Sequence, residues 1–218
     1  MDREFWLERW QKQEIGFHQD EVNPHLLQYW PGLDLNEGSE VFVPLCGKSR
    51  DMFWLRNRGH AIVGVELSDI AVKSFFAEHG YVPVKCSRGE FDIFEADGIR
   101  LLCGDFFELT GADLKDVTSV YDRASLVALP PDMREHYAMH LIDILRPSAR
   151  ILLVTFDYPQ NEMSGPPFSI SPEEVERLFG KRTEISLLAQ ENMLESNPRF
   201  RERGLTRLHE NIFVLTRK

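Results

Sequence analysis

The sequence predicts an α/β protein with an open, mostly parallel sheet, and three observations carry that prediction. The stretch 40–68, EVFVPLCGKSRDMFWLRNRGHAIVGVELS, reads as strand, tight turn, helix and strand, and such a crossover almost always leaves its two strands parallel. Strand-like apolar runs then alternate with helical patterns through the middle of the chain. The chain closes on two strand-like runs joined by a loop alone, which sets an antiparallel strand at the end of the sheet.

Each element has its local reason. Phe5 to Gln13 forms an amphipathic helix with Phe5, Trp6, Leu7 and Trp10 apolar, and Gly16-Phe17-His18 follows as a flexible point. Val41-Phe42-Val43 is the first strand, ended by Pro44-Leu45-Cys46-Gly47. Met52, Phe53 and Leu55 give the next segment an apolar helical face, closed by Arg58-Gly59-His60, and Ala61 to Val65 is a buried strand ending on Glu66. Ser68 caps a helix from Asp69 to about His79, stopped by Gly80. Phe91 to Phe94 and Ile99 to Cys103 flank Asp97-Gly98, a hairpin signal. The second arm joins the sheet and brings Gly104-Asp105-Phe106 to its ligand edge. Val117 to Tyr121 is the next strand, ending in Asp122-Arg123-Ala124-Ser125. Pro131 opens a helix to about Leu145, which Pro147 prevents from continuing. Arg150 to Phe156 leads into a long Gly, Pro and Ser loop ending at Ser169, and Ser171-Pro172-Glu173-Glu174 starts a helix. Thr183 to about Gln190 and Leu208 to Thr216 are the terminal strands, around a loop holding Arg199, Arg201, Arg203 and Arg207.

The 218 residues, 43% hydrophobic and 28% charged, fit one globular domain with a sizeable core. No apolar run approaches the ~20 residues of a membrane span, and the acidic start MDREFW is unlike a signal peptide, so a cytoplasmic protein is expected. Cys46, Cys86 and Cys103 are odd in number and lack metal-ligand spacing, which fits a reducing compartment. A net charge of −10 argues against nucleic acid as the main partner. His136 and His140 stand four apart, but Tyr137 occupies the position where the H-E-x-x-H zinc signature needs Glu. No metal is expected.

In parallel α/β sheets ligands bind beyond the carboxyl ends of the strands, where an acid ending the second strand can hold a ribose diol. Glu66 stands there; a solvated strand-end carboxylate is the plain alternative. A dinucleotide would need a glycine-rich approach to a helix N-terminus. The turn P-L-C-G-K-S-R-D has only Gly47, with Lys48, Ser49 and Arg50 where glycines would admit phosphates. S-adenosylmethionine carries no phosphate and needs only an open turn and a diol acceptor, so the turn favours a methyl donor. Asp105 can accept from an adenine amino group or cap the next turn. Asp122 and Arg123 read either as ligand-edge charges or as a surface pair.

The segments VPLCGKSRDM and GVELS, together with FWLERWQKQEIGFHQ, LLCGDFFEL, YDRASLVALP and ILLVTFDY, resemble the thiopurine S-methyltransferase family. The resemblance runs from about Phe5 to the C-terminus, and the short stretch before Trp10 is more like the compact bacterial members. It implies a seven-stranded, mostly parallel, Rossmann-like methyltransferase sheet with an antiparallel last strand, in a single domain whose first 30 or so residues form a helical lid. It implies a cofactor site for S-adenosyl-L-methionine at Trp10, Leu45, Gly47, Glu66, Leu67, Gly104, Asp105, Phe106 and Arg123. Phe17 and His18 would line the acceptor pocket, and Arg123 and Arg199, with Arg201 as the alternative to Arg199, would act on the acceptor. The implied partner is a small thiopurine-like thiol; a monomer is expected.

Methyl transfer from a sulfonium is an in-line displacement, so positioning dominates. A thiopurine sulfur is acidic, and this chemistry requires no proton acceptor such as His18 or Asp122. Guanidinium groups would orient the acceptor and favour its anion. The resemblance extends to methylation of selenium and tellurium compounds. Two other readings stand beside it: a nucleotide-cofactor oxidoreductase, and a non-catalytic domain that binds S-adenosylmethionine.

Overall fold

The computed structural model describes residues 3–218. The chain forms two compact units, one ending at Val120 and the other running from Tyr121 to Lys218.

The first unit opens with α1 (Arg3–Gln11), which starts and ends two residues earlier than its apolar pattern predicts, and α2 (Pro24–Tyr29). Asn23 caps α2 by accepting from the N–H groups of His25 and Leu26, and Pro24 sits in its first turn, where the missing donor is harmless. The crossover follows as β1 (Glu40–Val43), α3 (Arg50–Asn57) and β2 (Ala61–Glu66). Parallel registry runs from Glu40 opposite Ala61 to Val43 opposite Gly64. Val41, Phe42, Ile62, Val63 and Val65 are almost wholly buried, as expected of strands covered on both faces. α4 (Asp69–Glu78) begins at Ser68, whose hydroxyl accepts from Ala71 N–H.

Next come β3 (Val84–Arg88), β4 (Phe91–Ala96) and β5 (Ile99–Cys103). The β4–β5 pair is the expected hairpin, and Asp97 and Gly98 both take positive φ, 48° and 73°, as an Asp-Gly turn of this kind demands. β5 lies parallel to β2, and β6 (Val117–Arg123) lies parallel to β1 and carries the chain into the second unit. Strand order in this part is β3-β4-β5-β2-β1-β6.

The second unit contains α5 (Pro131–Ile144), β7 (Arg150–Asp157), α6 (Pro172–Phe179), β8 (Thr183–Asn192), α7 (Pro198–Glu202) and β9 (His209–Arg217). Ser171 caps α6 at Glu174 N–H. β9 runs antiparallel to both β7 and β8, in the order β7-β9-β8. The mostly parallel sheet with its antiparallel last strand is therefore present, but with nine strands instead of seven. The difference is β3 and β4, an antiparallel pair added beyond β5.

Candidate active site

In the first unit the predicted cofactor residues converge on the turns after β1, β2 and β5. Glu66 is 6% exposed, and its carboxylate bridges two of those turns. Oε2 accepts from Gly47 N–H at 2.9 Å and Oε1 accepts from Ser68 N–H at 2.8 Å. Burial pushes its carboxyl above the usual range, and the N–H groups of Ser68, Gly47 and Leu67 pull it back. The alternative of a solvated surface acid is thereby removed. Gly104 N–H bonds the Glu66 carbonyl at 2.9 Å, which draws the turn after β5 against the end of β2.

Leu45 and Gly47 both take positive φ, 43° and 54°. A Cβ added at Gly47 would lie 3.2 Å from Trp10 Cζ2, so glycine lets the buried indole lie directly on the turn. Phe17 packs edge-on against Trp10 and Trp6, each at 5.7 Å between centroids. The half-buried His18 is pulled below the usual histidine range, first by burial and then by the nearby Lys48. Lys48 itself pairs with Glu78 at 2.5 Å.

A cavity of about 440 Å³ in this unit is lined by Leu67, Gly104, Cys103, Asp69, Phe91 and Leu7, among others. The remaining two residues of the β5 turn have structural roles of their own. Asp105 accepts from Phe107 N–H at 3.0 Å, the capping alternative, and Phe106 is a core ring stacked on Phe42.

The second unit holds the arginines. Arg123 is the half-buried last residue of β6. Asp122 does not serve it as a surface ion-pair partner: its side chain is buried, bonded to Tyr137 Oη and Leu126 N–H. Arg199 is exposed on α7, its guanidinium 5.0 Å from the centroid of the Phe200 ring. Phe200 anchors that short helix in a cluster with Tyr158, Met163, Leu205 and Leu208. The cluster thus ties the arginine segment to the long loop after β7. Arg207 is committed to Asp157 through two bonds of 2.8 and 3.2 Å, which separates it from the other loop arginines.

Sequence reasoning missed two buried charged contacts, one in each unit. Asp51 of α3 is buried and accepts from Asn23 N–H at 2.8 Å, fastening the segment after the aromatic cluster. Arg134 of α5 is buried and grips both Glu174 oxygens, at 2.8 and 3.0 Å. An acid in the first turn of a helix and an arginine on a helix face carry no sequence signal that separates them from solvated charge.

The donor set fits S-adenosylmethionine. A buried carboxylate at the end of the second strand keeps further lone pairs for a diol, and the turn with its single glycine, packed beneath the Trp10 indole, offers no cradle for phosphates. Two solved structures share the fold across 99% of this chain at a TM-score of 0.67. One is a Burkholderia thailandensis 1,6-didemethyltoxoflavin-N1-methyltransferase with bound S-adenosylhomocysteine, at 15% identity and 87% coverage of that chain. The other is a methyltransferase from Anabaena variabilis that depends on S-adenosylmethionine, at 13% identity and 95% coverage. The fold is that of S-adenosylmethionine-dependent methyltransferases. Residues 1–218 match the family described as Thiopurine S-methyltransferase (TPMT). A thiopurine S-methyltransferase of Nitrosospira multiformis is 60% identical over 215 residues, covering 99% of this chain and 98% of that one. One from Pseudomonas fluorescens is 49% identical over 213 residues, with 98% of each chain covered. The chain belongs to the thiopurine S-methyltransferase family.

Proposed function

We propose that the protein methylates the sulfur of thiopurines and related aromatic or heterocyclic thiols. What carries this reading is the Glu66 carboxylate, buried and bridging two strand-end turns, in a chain that matches an S-methyltransferase family along its whole length. S-adenosylmethionine, when bound, supplies an electrophilic methyl group on a sulfonium.

The chain's own residues provide position and shelter. Glu66 accepts from the ribose hydroxyls, and Gly47 with Leu45 shapes the turn beneath. Leu67 and Gly104 border the cavity that would take the base, with Asp105 and Phe106 fixing the turn around it. Trp10 covers the Gly47 turn and, with Phe17, keeps water from the reacting atoms; residues 1–30 act as the lid of a single catalytic domain. Arg123 and Arg199 hold the acceptor anion and lower the thiol pKa, with the planar fork of guanidinium meeting ring nitrogen or oxygen. His18 lines the acceptor pocket, its pKa held below the usual histidine range by burial and by Lys48. No helix among the described residues is long and apolar enough to cross a membrane. The protein acts as a cytoplasmic monomer on small thiols, and by extension on selenium and tellurium compounds.

Arg123→Lys and Arg199→Lys test the acceptor assignment. Each keeps the charge and loses the fork, so kcat/KM for 6-mercaptopurine is expected to fall at least about tenfold, roughly 1.4 kcal/mol. Donor affinity, titrated in parallel, should change less. Collapse of donor affinity with intact acceptor parameters would move both arginines to the cofactor.

A further inference from the structure

The turn after β6 contains a conformation that needs an external cause. Ala124, between Arg123 and Ser125, has φ of 65°, a region that costs a residue with a side chain about 1–2 kcal/mol. Such conformations persist where the surroundings over-determine them. Here the surroundings centre on Asp122. Successive strand residues point to opposite faces, so Asp122 turns inward as Arg123 turns the other way. Its Oδ1 accepts from Leu126 N–H at 3.3 Å, closing the turn four residues on. Its Oδ2 accepts from Tyr137 Oη at 2.7 Å, and Ser125 adds a side-chain bond. Asp122, Ser125 and Tyr137 are each at most 1% exposed, so they offer almost no surface to a ligand.

We propose that Asp122, seconded by Tyr137 and Ser125, is a positioning residue that holds the Arg123–Ser125 turn in its strained form and so aims Arg123 at the acceptor. The inference rests on the assignment of Arg123 to the acceptor. A brace made of a carboxylate is expensive: burial pushes Asp122 up to about 6 despite its three hydrogen bonds. An apolar residue would fill the space at lower cost, but it could not accept from Leu126 and Tyr137 together. A neutral brace would also hold the turn less firmly, because hydrogen bonds to a charged acceptor are roughly twice as strong.

The test is a double-mutant cycle between the brace and the arginine. Tyr137→Phe deletes one hydroxyl from a buried ring and leaves its shape. It is expected to lower kcat/KM for 6-mercaptopurine about three- to tenfold, only part of what a hydrogen bond to a charged group is worth, because the bonds from Leu126 and Ser125 still hold the turn. Donor affinity should hold. In an Arg123→Ala background, where there is no side chain left to aim, the same change should alter kcat/KM less than about twofold. Asp122→Asn, which keeps one acceptor and the volume, should repeat this pattern with a larger loss. Equal losses in both backgrounds overturn the brace while leaving Arg123 its role, as does a lowered melting temperature with unchanged acceptor kinetics. If Arg123→Ala itself leaves acceptor kinetics unchanged, the assignment of Arg123 falls and the brace falls with it.

Discussion

Glu66→Gln separates the two tasks that the structure gives one carboxylate. Both oxygens are engaged in the folded chain, with Gly47 N–H at 2.9 Å and Ser68 N–H at 2.8 Å. Glutamine has one acceptor oxygen, so one of these N–H groups faces an NH₂ and is orphaned. An unsatisfied buried donor costs about 1–3 kcal/mol. Against that stands the burial that raises the Glu66 pKa, a penalty that the neutral amide escapes. Fold stability should therefore fall by less than the orphaned bond alone implies, about 1–2 kcal/mol. Donor binding has no such offset. The diol loses a charged acceptor worth roughly 1.5–3 kcal/mol, so the Kd should rise roughly 10- to 150-fold. Glu66→Ala orphans both donors, and its stability loss should be about twice as large. Calorimetric titration with S-adenosylhomocysteine reads the first effect, and thermal unfolding without ligand reads the second. A folded Gln variant that binds the ligand with wild-type affinity would remove Glu66 from the donor site.

Three further outcomes follow from the geometry. Gly47→Ala places a Cβ 3.2 Å from Trp10 at φ of 54°; it should cost about 1–2 kcal/mol, shift the tryptophan emission and weaken donor binding, and unaltered emission would show that the indole does not rest on this turn. Asp122, with a pKa of about 6 in place of 3.8, holds its proton more tightly when folded than when unfolded, so this group makes stability fall as pH rises from about 4 to about 6. Asp122→Asn lacks that penalty, and its stability relative to wild type should improve by about 3 kcal/mol across the window; a constant difference from pH 4 to 7 would contradict the buried carboxylate. Phe200→Ala empties the small cluster beneath α7, at a cost of about 3–5 kcal/mol if the unit stays cooperative. Amide exchange should quicken in 158–170 and 193–208 before it does in β9, and uniform quickening would deny the cluster a separate role.

The crossover was legible because its signals agree: buried strand runs, a proline-glycine turn, and a carboxylate placed at the end of an apolar strand. The caps at Ser68 and Ser171 and the Asp97-Gly98 turn were equally plain, since each rests on local chemistry. β3 was not: Val84-Lys85-Cys86-Ser87 does alternate, but the run is short, follows Pro83 directly, and all five residues of the strand are exposed. α7 hid in a run of arginines, although Asn197-Pro198 was a usable helix start. Asp122 and Arg123 are neighbours in sequence and invite pairing, but strand alternation sends them to opposite faces. Only the structure shows that the acid's partner is Tyr137, fifteen residues away. Asp105 was left open between capping and binding, and its bond to Phe107 N–H shows the cap.

The most direct test of the functional account is transfer of a labelled methyl group from S-adenosylmethionine to 6-mercaptopurine by the purified protein. The account requires the label on sulfur, as the 6-methylthio product, at a rate that falls in Glu66→Gln and in Arg199→Lys. Label on a ring nitrogen, or no transfer by a protein that binds S-adenosylhomocysteine, would contradict it.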